Sequence, residues 1–333
     1  MEICKRVHAK NLVHWAKDKP EVLVLSADLT SSCEADAFRD TYPSRFFSMG
    51  IAEQNMLGFA GGLAREGWIP FVHTFAVFIY RRALDQIAMS AAYPNLPVKL
   101  VGFLPGVTTP GGATHQAIED IAVMRALPNM TVLETGDATE VENVLQIAYE
   151  IDGPVYIRML RGELPRLFSE PMQFGKARKL TEGDDLVLVS SGLCTEECLR
   201  TVKVLEANGI RAALYHISTL KPFSYPEIID NIARSRYGVI SLENHTVIGG
   251  LGSCLAECMA EAGVGKKLIR LGIQDQFLHG ASRKYLMHEY HMDVWALLEA
   301  IEKAVGSKLN VQEADIGEVF LPEALSDAKP EAL

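Results

Sequence analysis

The stretch RFFSMGIAEQNMLGFAGGLAREGWIPFVHTFAVFIYRRALDQI, residues 45–87, decides the reading of the chain. RFFSMG (45–50) is a short apolar run ending in a glycine turn, and IAEQNMLGFAGGLAREG (51–67) has helical spacing closed by a glycine. IPFVHTF (69–75) reads as a strand again, and YRRALDQIAMSAAY (80–93) as a second helix. Strands and helices in direct alternation predict a parallel sheet whose crossovers are the helices, with both faces covered.

The alternation continues on both sides. Upstream lie a helix in KNLVHWAKDKP (10–20), stopped by Pro20, and the buried strand EVLVLSAD (21–28). Downstream come the strand VKLVGF (98–103), the glycine-rich loop PGVTTPGGATH (105–115), a helix in QAIEDIAVMRAL (116–127), the strand TVLETG (131–136), a helix in ATEVENVLQIAYEI (138–151) and the strand GPVYIRML (153–160). The polar stretch SEPMQFGKARKLT (169–181) breaks the pattern, and a second run of alternating strands and helices follows from DDLVLVSSG (184–192) to helices between Ala281 and Val305. The expected fold class is α/β: two parallel-sheet α/β domains, at 1–170 and 183–307, a linker at 171–182 and an acidic tail at 308–333.

Composition limits the function. Of 333 residues, 48% are hydrophobic and 22% charged, ordinary globular usage. A mean hydropathy of +0.09 points to a large core or a buried subunit interface. The longest apolar run, IPFVHTFAVFIY (69–80), contains His73 and is too short for a membrane span. The N-terminus has no apolar signal region, and six cysteines are too few for a disulfide scaffold, so a cytoplasmic location is expected. A net charge of −10 argues against nucleic acid or an anionic membrane as partner.

Four places could carry chemistry. Glu53 lies at the start of a helix among apolar neighbours, where burial could keep a proton available to a partner base; taken alone, it is better explained as an acid complementing the helix N-terminus. Phe75 and Phe78 could line a flat-ring site, or simply pack in the core. His115 ends the glycine-rich loop after a predicted strand, where ligands of parallel sheets bind, although it could also cap the next helix. Arg158 and Arg161, in YIRMLR, could reach one sheet edge and clamp a phosphate or carboxylate, or could be solvated. Neither a G-x-x-x-x-G-K-[ST] loop nor a G-x-G-x-x-G after the first strand is present, so ATP or NAD binding by those motifs is unsupported. Cys194/Cys198 and Cys254/Cys258 have helical spacing in apolar contexts and read as core thiols.

These segments together resemble the C-terminal half of transketolase, and more closely the C-terminal subunit of split transketolases. The resemblance runs through SADLTSS (26–32), GIAEQN (50–55), PFVHTFAVFIYRRALDQI (70–87), GGATHQAIEDIAVMRALPNM (111–130), GPVYIRMLRGELP (153–165), LENHTVIGGLGSCLAE (242–257) and HGASRKYL (279–286), and covers about residues 5 to 305. It implies a pyrimidine-binding domain followed by a transketolase C-terminal domain, thiamine diphosphate as cofactor and transfer of a two-carbon ketol unit from a ketose to an aldose. By this resemblance Glu53 hydrogen-bonds the aminopyrimidine, Phe75 and Phe78 stack on it, and Arg81 follows one turn on. His115 faces the sugar, Arg161 contacts its phosphate, Ser32 and Arg158 assist, and Glu53 and His115 are the catalytic pair.

The family's GDG motif, with its downstream Asn holding the divalent metal, occurs nowhere in the chain. The resemblance therefore implies no metal ligand here, a partner subunit holding Mg2+ or Ca2+, and a heterotetramer of two N-terminal and two C-terminal subunits. Two positions depart from the sugar-phosphate pattern: Gly111 replaces a common Asp, and Phe103 a common His, so the donor need not be xylulose 5-phosphate. The alternatives are the β subunit of a 2-oxoacid dehydrogenase, a 1-deoxyxylulose-5-phosphate synthase-like enzyme, and a non-catalytic scaffold or regulatory subunit.

Overall fold

A computed structural model describes residues 2–317. Apolar β-branched runs collapse into two sheets. The first has seven strands in the spatial order Thr219–Lys221, Thr131–Glu134, Val155–Met159, Lys99–Phe103, Ile69–Phe75, Val22–Ser26, Phe46–Ser48. All its neighbours pair in parallel except Thr219–Lys221, which runs antiparallel to Thr131–Glu134. The second sheet has five strands in the order Leu268–Ile273, Val239–Thr246, Leu186–Ser191, Ala212–Ile217, Arg178–Thr181, with only the last antiparallel. Central strands such as Val22–Ser26 and Val155–Met159 are buried at every residue, as helices on both faces require.

The α/β architecture is as the alternation predicts, with three additions. Ile3–Lys5 and Glu163–Pro165 form a small antiparallel pair. Arg178–Thr181, at the end of the stretch read as a linker, is a strand of the second sheet. Thr219–Lys221 crosses from the second half of the chain to the edge of the first sheet. The tail beyond 317 lies outside the described residues. No helix among the described residues is long and apolar enough to cross a membrane.

The crossing strand is reinforced by buried polar groups. His216 Nε2 meets Glu140 Oε2 at 3.0 Å, Ser218 Oγ donates to Glu140 Oε1 at 2.6 Å, and His216 Nδ1 lies 2.6 Å from Thr195 Oγ1. Glu140 belongs to the helix Ala138–Glu150 and His216 to the strand Ala212–Ile217, so a satisfied network joins the two halves.

Along the chain, the parallel strands of the first sheet run outward from Val22–Ser26 in both directions: Phe46–Ser48 on one side, Ile69–Phe75 on the other. The chain reverses direction there, and the crevice beyond the carboxyl ends of those strands is where such sheets bind ligands.

Beneath that crevice, His8 and His73 are fully buried with their Nε2 atoms 3.0 Å apart, packed against Phe103. His73 Nδ1 lies 3.1 Å from the Phe71 carbonyl and must donate to it, so its Nε2 accepts and His8 Nε2–H donates. Protonating His73 would set N–H against N–H, and protonating His8 would put a buried N–H on Nδ1, which has no partner among the described residues. Burial pulls both imidazoles down, His73 to about 4, and the neighbouring ring adds to the effect on His8. Histidines depressed in the folded state leave stability intact above the unfolded value near 6.5 and remove it as pH falls from there toward 4. Urea midpoints should therefore drop between pH 7.5 and 5.5 by the equivalent of about 1 kcal/mol per histidine. His8→Phe should flatten that slope; an unchanged slope would assign the acid sensitivity elsewhere.

Candidate functional site

Every element of the crevice brings one of the predicted residues to the same sheet edge. Glu53 opens the helix Glu53–Arg65, just after the strand Phe46–Ser48, and its side chain is 3% exposed. Phe75 is the last residue of Ile69–Phe75, and Phe78 stands in the first turn of the helix Ala76–Gln86. The two rings stack at 5.8 Å with 24° between their planes. His115 approaches both edge-on, 5.5 Å from Phe78 and 6.4 Å from Phe75. Its Nδ1 lies 2.8 Å from Thr114 Oγ1, so the ring is oriented through that nitrogen.

The His115 loop is held from three directions. Asn244, in the second half of the chain, accepts from Val107 N at 2.9 Å and donates to Pro105 O at 3.0 Å. Gly106 lies against that amide with a φ of +56°, and a Cβ there would come within 2.1 Å of Asn244 Oδ1. Gln116 donates to the carbonyls of Thr109 and His279. Gly111 is needed for space: a Cβ would lie 2.8 Å from His115 Cγ. The space that a side chain at position 111 would fill is taken up by the His115 ring.

Arg81 belongs to this support. It makes a two-pronged pair with Glu119, both contacts at 2.9 Å, and donates to the Ala113 carbonyl at 2.7 Å. Its place on the aromatic face is taken by Arg82, which the sequence reading passed over. Arg82 Nη1 donates to Glu53 Oε1 at 2.6 Å, and its guanidinium lies 3.8 Å from the centre of Phe78. Helical geometry accounts for the exchange: Phe78 and Arg82 are four residues apart on one face, whereas Arg81 is turned toward the loop.

Arg161 and Ser32 come together, with Arg161 Nη1 donating to the Ser32 carbonyl at 2.8 Å. The guanidinium stands 6.0 Å from the Phe75 ring, and its buried Nε has no partner among the described residues. Burial pulls its pKa below the ordinary arginine value. This is a half-buried cation beside the Phe75 ring.

Arg158 corrects the expectation of a second substrate arginine. It is fully buried; it donates to Asp120 Oδ2 at 2.8 Å, pairs with Glu134, and donates to the carbonyls of Ala117 and Asn244. Its strand lies between two others with both faces covered, so a residue before the strand end points into the interior, while Arg161 beyond the end emerges. Phe103 is likewise enclosed, against His8 and His73. Among the described residues, no three His, Cys, Asp or Glu side chains gather as a metal site.

The profile of the transketolase pyrimidine-binding domain matches residues 5–166, and that of the transketolase C-terminal domain matches residues 175–297. A putative uncharacterized transketolase family protein, y4mN, of Sinorhizobium fredii is 39% identical over 86% of this chain and 85% of its own. A putative transketolase C-terminal section of Methanocaldococcus jannaschii is 38% identical over 87% and 92%. The 6-deoxy-6-sulfo-D-fructose transketolase subunit SqwH of a Clostridium species is 36% identical over 89% and 92%. Among solved structures, a split gene transketolase described as an inactive β4 tetramer superposes with a TM-score of 0.83 at 39% identity, covering 91% of this chain and 98% of that one. The chain belongs to the transketolase family and carries its pyrimidine-binding and C-terminal domains.

Proposed function

We propose that this chain is the pyrimidine-binding half of a thiamine diphosphate-dependent transketolase, active with an N-terminal subunit that holds the diphosphate and its Mg2+ or Ca2+. One observation carries the reading: a buried carboxylate, Glu53, is linked through Arg82 to Phe78, whose ring stacks on Phe75 at the carboxyl edge of a parallel sheet, with His115 against the same rings. A buried acid that can exchange a proton with a ring nitrogen, next to flat apolar faces, fits an aminopyrimidine.

When bound, thiamine diphosphate supplies the electron sink for cleaving and forming the carbon–carbon bond. Glu53 holds and returns a proton through its carboxylate oxygens. Phe75 and Phe78 orient the ring and exclude water. His115, oriented through Nδ1, offers Nε2 for proton transfer on a sugar hydroxyl. Arg161, whose guanidinium stands beside the Phe75 ring, suits the anionic end of a ketose, whether phosphate or sulfonate. The name of the SqwH relative is consistent with that charge. With Gly111 in place of an acid, nothing at that position accepts a donor hydroxyl.

Relatives named 1-deoxy-D-xylulose-5-phosphate synthase are 30–33% identical, but this chain spans about half their length, 47% in one case. Condensation of pyruvate with an aldose phosphate by the assembled enzyme would favour that reading over ketol transfer.

The decisive experiment captures the tagged chain from its source lysate and identifies what comes with it. The expected result is a stoichiometric protein carrying GDG and a downstream Asn. Thiamine diphosphate at about 100 times its Kd should then stabilise the complex by about 2.7 kcal/mol, read as a rise in Tm. A chain recovered alone, or a complex whose Tm ignores the cofactor, would favour a non-catalytic scaffold.

A further inference from the structure

Arg82 is a cation beside Glu53 and Phe78 that none of the proposed chemistry uses. Its guanidinium makes two contacts at once: Nη1 donates to Glu53 Oε1 at 2.6 Å, and the plane lies 3.8 Å from the centre of Phe78. Phe78 is already stacked by Phe75 and met edge-on by His115, so the Arg82 side is where a further flat group can lie on it. A flat, nitrogen-bearing ring that is to stack on Phe78 and hydrogen-bond Glu53 needs both contacts that Arg82 now holds.

We infer that Arg82 is a built-in stand-in for the aminopyrimidine, occupying its acid and its aromatic face until the ring displaces it. This rests on the assignment of Glu53 and Phe78 given above. A protonated aminopyrimidine and a guanidinium share the relevant chemistry: both are planar, both direct N–H toward a carboxylate, and both stack on an aromatic face. The stand-in has a physical reason. Glu53 is 3% exposed, and a buried carboxylate left without a partner destabilises the fold. Arg82 supplies that partner, yet its own side chain is 43% exposed, so it can swing toward water on a flexible stem without breaking a packed core. Its neighbour Arg81 cannot substitute, being engaged by Glu119 and the Ala113 carbonyl.

The test uses the full chain and the aminopyrimidine alone, 4-amino-5-hydroxymethyl-2-methylpyrimidine, titrated by calorimetry. Arg82→Met keeps the apolar stem and removes the planar cation, and should bind the pyrimidine about 5- to 20-fold more tightly than the native chain, the range expected for losing a half-exposed competing ion pair and a stacking contact. Arg82→Lys, which keeps charge without the plane, should fall between the two. Independently of affinity, the labelled Arg82 guanidinium should change from hindered to freely rotating by nitrogen NMR as the pyrimidine saturates the native chain. Equal or weaker binding to Arg82→Met, or an Arg82 signal indifferent to saturating pyrimidine, would overturn the stand-in. Glu53→Gln separates the two claims: pyrimidine binding that survives it undiminished would defeat the Glu53 assignment itself, whereas a loss there with no gain in Arg82→Met would defeat only the role of Arg82. Absence of pyrimidine binding to any variant would overturn both.

Discussion

In the assembled enzyme, Glu53→Gln should lower kcat for ketol transfer by about 10²- to 10⁴-fold, the range for removing a positioned proton-transfer group. The expected cost to folding is far smaller. The ion pair lost is with Arg82, which is 43% exposed, and such a partly solvated pair contributes about 1 kcal/mol or less. A 10³-fold loss of rate corresponds to about 4 kcal/mol of transition-state stabilisation, so the two effects separate cleanly. The amide keeps the size of the side chain and still accepts from Arg82, but it cannot take up a proton at neutral pH. Glu53→Ala should lose as much activity and somewhat more stability, because it also leaves a gap. The check is turnover with the partner subunit demonstrably bound, alongside the denaturation midpoint of each variant. Near-native turnover in Glu53→Gln would remove Glu53 from the chemistry, whatever the folding data show.

Much of the candidate site's placement is legible in the chain because its geometry follows from local pattern. Once strands and helices alternate, residues just past successive strand ends must meet at one edge of the sheet, and Glu53, Phe75, Phe78, His115, Ser32 and Arg161 all lie there. What escaped depends on tertiary contact. The sequence pattern leaves Phe78 between the strand 69–75 and a helix from Tyr80, but the helix begins directly at Ala76, and that start puts Arg82 over the ring four residues on. The helix placed at 116–127 begins only at Asp120, because Ala117 accepts from Gly106 N at 2.8 Å and ties the preceding residues back to the loop. Thr219–Lys221 is too short to carry a signal of its own, and nothing near it in sequence names a partner strand in the other half of the chain. Arg158 and Arg161 look alike in YIRMLR. Only the burial of the whole strand separates an interior cation from one at the crevice.

That interior cation predicts the largest effect on stability. Arg158→Met should destabilise the chain by about 3–5 kcal/mol, the cost of leaving buried charge without its counter-charge. Two carboxylates depend on it, Asp120 at 2.8 Å and Glu134, and all three side chains are almost wholly buried. Tyr156 Oη also donates to Asp120 at 2.6 Å, but a neutral hydroxyl does not replace a full positive charge. Against a usual total of about 5–15 kcal/mol, such a loss approaches the margin of folding. If uncompensated charge is the cause, neutralising the acids should restore part of it: Arg158→Met with Asp120→Asn and Glu134→Gln should be more stable than Arg158→Met alone, although it has more substitutions. The readout is the urea midpoint, with amide exchange to locate the damage. Because Arg158 also donates to the Ala117 and Asn244 carbonyls, exchange should rise first in the His115 loop and along Val239–Thr246, where the two halves of the chain meet. A loss below about 1 kcal/mol would mean that water reaches the two carboxylates once the arginine is gone. Failure of the triple variant to recover would shift the cause from charge to packing around the guanidinium.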